Sequence, residues 1–274
     1  MSTTQKKLGQ VFLKDKEALE KIIKASEIKP EDQILEIGPG KGVLTEFLLK
    51  TSAKTTAVEK DIELVKFLKD RFKDKLNLKI IHADIRDFLK TNQFYSQYSI
   101  LNAQYKVIGN IPYYLTSHLL RLLLENPIKP SLIVLMVQKE VAERIIAQPP
   151  KMNLLSTSVQ FYAKAEIIYY VPRTAFSPEP KVDSAIIKIT PLPAKILKQN
   201  LGEQTQQSFF KVVKAGFEQP RKILINNLCK NLKKEKDVLQ KVFLQLNFPL
   251  NTRAQNLSIK QWISLSSLLM KNIV

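Results

Sequence analysis

Between residues 33 and 190, short β-branched apolar runs alternate with amphipathic stretches of helical length, and this alternation leaves the chain few architectures. The strand-like runs are 34–37, 55–58, 78–81, 106–109, 132–137, 166–171 and 185–189. Helical spacing of apolar residues occupies 43–50, 61–72, 116–124 and 139–147 between the earlier runs. Such a pattern predicts an α/β fold with a largely parallel sheet and helices on both faces. The last two runs are joined by the Pro-rich segment 172–180 in place of a helix, which predicts an antiparallel pair at one sheet edge. Beyond Pro191-Leu-Pro193 no strand pattern remains. Residues 209–217, 222–232, 236–246 and 258–270 read as helices, so a sheet domain over 1–190 and a small all-helical C-terminal domain over 191–274 are expected.

The first run leads into Glu36-Ile-Gly38-Pro-Gly40-Lys-Gly42 and then a helix. Glycines permit a tight turn and let a ligand approach the backbone at Gly38 and Gly40, while the helix start favours a polar group. The loop is no P-loop, because Gly42 stands where a Ser or Thr would have to bind magnesium. Nor is it the dinucleotide fingerprint, whose third glycine would fall at 43. Glu59, at the end of the second run, occupies the place where a carboxylate accepts both ribose hydroxyls. Glu36 suits a cationic ligand better than a pyrophosphate. A nucleoside with free ribose hydroxyls, no phosphate and a positive charge meets these conditions, and S-adenosylmethionine is such a molecule. Asp84, ending the third run, is placed either to accept from an adenine amine or to cap the following helix.

Asn110-Ile111-Pro112-Tyr113 follows the fourth run, at the strand ends where open α/β sheets bind ligands. The exocyclic amine of a nucleobase is a weak nucleophile because its lone pair is delocalised into the ring. The Asn110 side-chain oxygen and the Ile111 carbonyl form an acceptor pair able to bind both amine hydrogens and hold the amine in line with a methyl group. Pro112 stiffens the turn, and Tyr113 offers a ring for a base removed from its stack. Taken alone, so short a motif also fits a proline turn with a core tyrosine.

The chain carries a formal charge of +18, from 43 Lys and Arg against 25 Asp and Glu. Residues 191–274 hold 14 of the basic and 4 of the acidic residues, so more than half the excess lies on less than a third of the chain. A polyanionic partner fits this distribution, as does a Lys-rich solvated surface, since 36 of the basic residues are Lys. The start of the chain has no apolar signal core and the longest apolar run, 132–137, is far too short to span a bilayer, so a soluble, unexported protein is expected. Cys229 is the sole cysteine, and His82 and His118 lack neighbours at metal-ligand spacing; no metal site is expected.

Four segments stand in a familiar order and spacing: Lys7-Leu-Gly-Gln10-Val-Phe-Leu13-Lys-Asp15, the loop 36–42, Asn110-Ile-Pro-Tyr113, and Phe176-Ser-Pro-Glu-Pro-Lys-Val-Asp183-Ser-Ala185. Together they resemble the ribosomal RNA adenine dimethyltransferase family. In its C-terminal part, the stretches 217–228 and 253–258 are similar to the small-subunit branch. The resemblance implies a Rossmann-like S-adenosylmethionine-dependent methyltransferase sheet. It also implies N6-dimethylation of two adjacent adenosines near the 3′ end of small-subunit rRNA during late assembly of the 30S subunit, by a cytoplasmic monomer. Leu13, Gly38, Glu59, Asp84 and Asn110 match family cofactor-binding positions, and Phe176 matches an aromatic that stacks on the target base opposite Tyr113. Two positions depart from the pattern: Val11 replaces an Asn, and Gln255 replaces a Glu. The alternatives are a macrolide-resistance methyltransferase acting on large-subunit rRNA, and an RNA-binding assembly factor with reduced catalysis.

Overall fold

The computed structural model describes residues 12–99, 105–112, 115–201 and 205–271. Nine strands are present in this part: β1 Phe12–Leu13, β2 Gln33–Ile37, β3 Lys54–Glu59, β4 Leu78–His82, β5 Tyr105–Asn110, β6 Leu132–Gln138, β7 Ala163–Val171, β8 Phe176–Ser177 and β9 Ser184–Pro191. Seven of them form one sheet in the order β4-β3-β2-β5-β6-β9-β7. The five from β4 to β6 run parallel, and β9 joins antiparallel to β6 with β7 beyond it at the edge. The Pro-rich connection leads from β7 back to β9 and lacks the crossover helix a parallel return would need.

The central strands are buried on both faces, as a sheet covered by helices requires. Ile34, Ile108, Val134, Met136 and Ile186 meet the helices Lys16–Ala25 and Val43–Leu48 through Ala18, Leu19, Ile22, Leu44 and Leu48 in one apolar cluster. The helix Ile62–Arg71 packs on β3 and β4. Two glycines hold the centre close. A Cβ on Gly109 would lie 2.7 Å from the Ile37 carbonyl oxygen, and one on Gly42, which has φ +78°, would lie 2.6 Å from the Phe72 ring. At the opposite ends of the strands, Lys106 and Asp32 form a buried ion pair at 2.7 Å, and Lys106 also donates to the Glu27 carbonyl.

Residues divide into two compact units: Met1–Ala142 with Ala165–Pro191, and Glu143–Lys164 with Leu192–Val274. The second is helical. Its helices include Leu154–Tyr162, Gln206–Phe217, Leu224–Leu232, Lys236–Gln245 and Ile259–Lys271. Phe161 stacks on Phe209 with ring centroids 4.3 Å apart, which ties the first of these helices to the second. Trp262 is fully buried against Phe217 and over Gly216, where a Cβ would lie 2.4 Å from the indole. Gln255, one of the two departures from the family pattern, accepts the Met152 amide through its carbonyl, so this contact does not depend on its side chain.

Candidate active site

The parallel register brings four of the expected positions to the carboxyl ends of adjacent strands. Glu59 and His82 are register partners at the ends of β3 and β4, and Ile37 pairs with Val58 on one side and Gly109 on the other. Gly38, Glu59, Asp84 and Asn110 thus follow or end four adjacent strands on their carboxyl side. The Gly38 amide donates to the Val58 carbonyl at 3.0 Å and the Ala83 amide to the Glu59 carbonyl at 2.9 Å, which locks the strand ends together. A Cβ on Gly38 would lie 4.0 Å from the Asn110 carbonyl oxygen.

Gly38, Gly40 and Gly42 all have positive φ, 64°, 59° and 78°, so the loop conformation is one that side-chain-bearing residues rarely adopt. Glu59 fixes it: its Oε2 accepts from the Gly40 amide at 3.1 Å, and its Oε1 accepts from the Lys60 and Asp61 amides at 2.7 and 2.9 Å. Asp84 caps the short helix Ile85–Phe88 by accepting from the Arg86 amide at 3.0 Å. Its carboxylate also takes a two-pronged bond from the Arg86 guanidinium, at 2.9 and 2.6 Å, and an ion pair from Lys60 at 3.1 Å. Arg86, with Lys60, holds the Asp84 carboxyl well below the usual carboxylate range, so it is an anion at any physiological pH.

Glu36, on β2, is fully buried. Its Oε2 accepts from the Thr45 hydroxyl at 2.8 Å, while Oε1 has no hydrogen-bond partner. Burial pushes its carboxyl up to about 8.

Asn110 ends β5 half-buried, Ile111 is buried and Pro112 is exposed, with the Leu115 amide closing a turn on the Pro112 carbonyl at 3.0 Å. Tyr113 and Val11 lie outside the described residues. Leu13 and Phe176 are brought together from opposite ends of the sheet domain. β1 pairs antiparallel with β8 so that Leu13 faces Phe176, and the Lys14 amide donates to the Ala175 carbonyl at 2.8 Å. Both side chains are 6% exposed and join the apolar cluster with Leu44, Ile108 and Met136. Sequence reasoning carried no signal for this ladder, because strands of two residues have no period to read. Among the described residues no group of three or more His, Cys, Asp or Glu side chains could hold a metal, and no helix is long and apolar enough to cross a membrane. His82 is bonded to the Lys60 carbonyl at 3.1 Å, and Cys229 is half-buried.

The residues present fit a neutral nucleoside with a cationic tail. Carboxylates at 59 and 84 would repel a phosphate, the glycines open the backbone to close approach, and Glu36 keeps one buried oxygen unpaired. Fold and site together define a Rossmann-like methyltransferase. The family model described as ribosomal RNA adenine dimethylase matches residues 1–271, and the chain belongs to that family. It is an rRNA adenine dimethyltransferase, and the family implies S-adenosylmethionine as methyl donor.

Among curated relatives, "Ribosomal RNA small subunit methyltransferase A" of Dehalococcoides mccartyi strain 195 is 43% identical over 260 residues, covering 94% of this chain and 86% of that protein. The protein of the same name from Streptococcus pneumoniae strain P1031 is 40% identical over 276 residues, covering 97% and 92%. A dimethyladenosine transferase from Plasmodium falciparum superposes with a TM-score of 0.76 at 27% identity, covering 95% of this chain and 97% of that one. The 23S rRNA methyltransferase ErmE shares the fold, with a TM-score of 0.70 at 23% identity and 94% and 99% coverage.

Proposed function

We propose that this chain dimethylates N6 of two adjacent adenosines near the 3′ end of small-subunit rRNA as the 30S subunit is assembled, acting as a cytoplasmic monomer. The observation that carries the reading is the convergence of Gly38, Glu59, Asp84 and Asn110 on adjacent strand ends. The small-subunit choice over a large-subunit target is supported by the similarity to proteins named small-subunit methyltransferases and by the tail motifs at 217–228 and 253–258.

S-adenosylmethionine, when bound, supplies a methyl group activated by its sulfonium. Leu13, Gly38, Gly40, Glu59, Asp84 and Asn110 are the residues we assign to holding it. Glu59 is oriented by three backbone amides and presents a carboxylate suited to ribose hydroxyls. Asp84, kept ionised by Arg86 and Lys60, is an acceptor for an exocyclic amine. Asn110 and the Ile111 carbonyl accept the two hydrogens of the target amine and aim its lone pair, so no strong general base is needed; the proton becomes acidic only as the bond to carbon forms. Pro112 stiffens this turn, and Tyr113 and Phe176 flank the flipped base. The basic tail grips phosphates without reading sequence.

The test is incubation of purified protein with labelled S-adenosylmethionine and each ribosomal subunit lacking its own N6-dimethyladenosines. Label in small-subunit RNA alone, located by mass spectrometry on two neighbouring adenosines, is expected; label in large-subunit RNA alone contradicts the reading.

A further inference from the structure

Glu36 is the one carboxyl at the candidate site that the machinery above does not use. It lies two residues before Gly38 on the central strand, between Ala57 of β3 and Ile108 of β5 in the register, and has no exposed surface. It shares the face of Ile34, under the helix Val43–Leu48, and its one hydrogen bond comes from Thr45 on that helix. Oε1 is left without a partner. The charged group that acts on it among the described residues is another carboxylate, Glu59, which itself braces Gly40. A buried carboxylate with an orphaned oxygen and an acidic neighbour is costly to ionise until a positive charge arrives.

We propose that Glu36 registers the charge of the bound nucleoside: its carboxyl is neutral in the free protein, releases its proton to solvent when the cationic methyl donor binds, and stays protonated when the demethylated product binds. This rests on the S-adenosylmethionine reading above. Donor and product differ by one methyl group and one positive charge, and the proton balances that charge: carboxyl plus cation becomes carboxylate–cation pair plus H⁺. Losing the methyl group removes the sulfonium charge, while the ammonium and carboxylate of the tail remain in both molecules and cancel, and the Glu36 carboxyl takes a proton back from water. The site is thereby stabilised around the donor and relaxed around the product. That difference matters to an enzyme of this family, which must exchange product for donor between successive methyl transfers. With burial holding the free carboxyl up to about 8, roughly nine-tenths of it is neutral at pH 7 and available for release.

The experiment is titration calorimetry of the full chain with S-adenosylmethionine and with S-adenosylhomocysteine at pH 7, in buffers of different ionisation enthalpy. For the donor, wild type is expected to release about 0.5–0.9 proton more than Glu36→Gln, and for the product the two proteins are expected to agree. At pH 9 the donor difference should vanish, because the carboxyl is already ionised. Thr45→Val removes the bond that favours the anion, so it should move the pH midpoint of release upward, and it supplies an independent test if Glu36→Gln folds poorly. Equal proton counts for wild type and Glu36→Gln, or equal release with donor and product, would overturn the proposal while leaving the cofactor reading intact. Failure of either nucleoside to bind folded wild type would overturn both.

Discussion

Leu13 and Phe176 face each other across a two-residue antiparallel ladder, although 162 residues separate them in the chain. The contact joins a residue assigned to the cofactor with one assigned to the target base, and both are buried in the cluster that supports the sheet centre. The pairing of β1 with β8 therefore couples the placement of Leu13 to that of Phe176. A substitution that empties the apolar cluster at either position acts on both, whereas one that keeps it filled separates the two roles.

Phe176→Ala should cost about 3–4 kcal/mol of stability, because it removes a buried ring, and so confounds folding with function. Phe176→Leu keeps the apolar filling and should cost under about 1.5 kcal/mol. Methyl transfer in Phe176→Leu should nonetheless fall at least about tenfold while cofactor affinity changes little, since the lost interaction is with the base. Steady-state rates beside urea melts check this; a wild-type rate removes the base-stacking assignment.

Glu36 predicts a pH signature in stability itself. Its folded value, about 8, lies above the ordinary 4.5, so the stabilisation is fully present below pH 4.5 and is lost as pH rises through 8. Relative to Glu36→Gln, wild type should lose about 3–5 kcal/mol between pH 5 and pH 9 in urea unfolding. Parallel stability curves for the two proteins would show that the carboxyl is not held neutral.

The buried pair of Lys106 and Asp32 sits at the amino ends of the strands, away from the glycine loop. Asp32→Ala leaves a buried ammonium without its partner and should destabilise by about 3–5 kcal/mol. Cofactor affinity, measured well below the melting temperature, should stay within twofold. A large change in affinity would mean that the two ends of the sheet are coupled.

The sheet was legible because its strands are β-branched runs bounded by turn residues; β2, β3, β4, β5, β6 and β9 each differ by at most two residues at either end from the expected runs. Glycine spacing and the carboxylates placed the loop for the same reason: few residue types satisfy a positive φ or a strand-end acceptor. The helix Lys16–Ala25 was not anticipated, although Asp15 caps it and Ala18, Leu19, Ile22 and Ala25 line its buried face; it precedes the alternating region that marks the fold. Leu154–Tyr162 was missed as well, because its apolar residues are interleaved with Ser and Thr that bond back to their own helix. Its compact grouping with the C-terminal helices depends on ring contacts such as Phe161 with Phe209, which no local pattern encodes. The sequence marks Glu36 as suited to a cation, but its orphaned oxygen is a tertiary fact.

In the helical tail, Lys230, Lys233 and Lys236 are exposed. Changing all three to Glu should weaken rRNA binding and lower the slope of log affinity against log salt by up to about three, with no effect on cofactor affinity. Filter binding across a salt series measures both; an unchanged slope would move the phosphate contacts elsewhere.

Asn110 is the residue on which the account turns, at the end of β5 beside the glycine loop. The decisive measurement is single-turnover methyl transfer by Asn110→Ala on undermethylated small subunits, with RNA affinity determined in parallel. Methyl transfer reduced by at least about 10³-fold, with RNA affinity within a few-fold of wild type, is the predicted result. A normal transfer rate in that variant would contradict the assignment of Asn110 to the target amine.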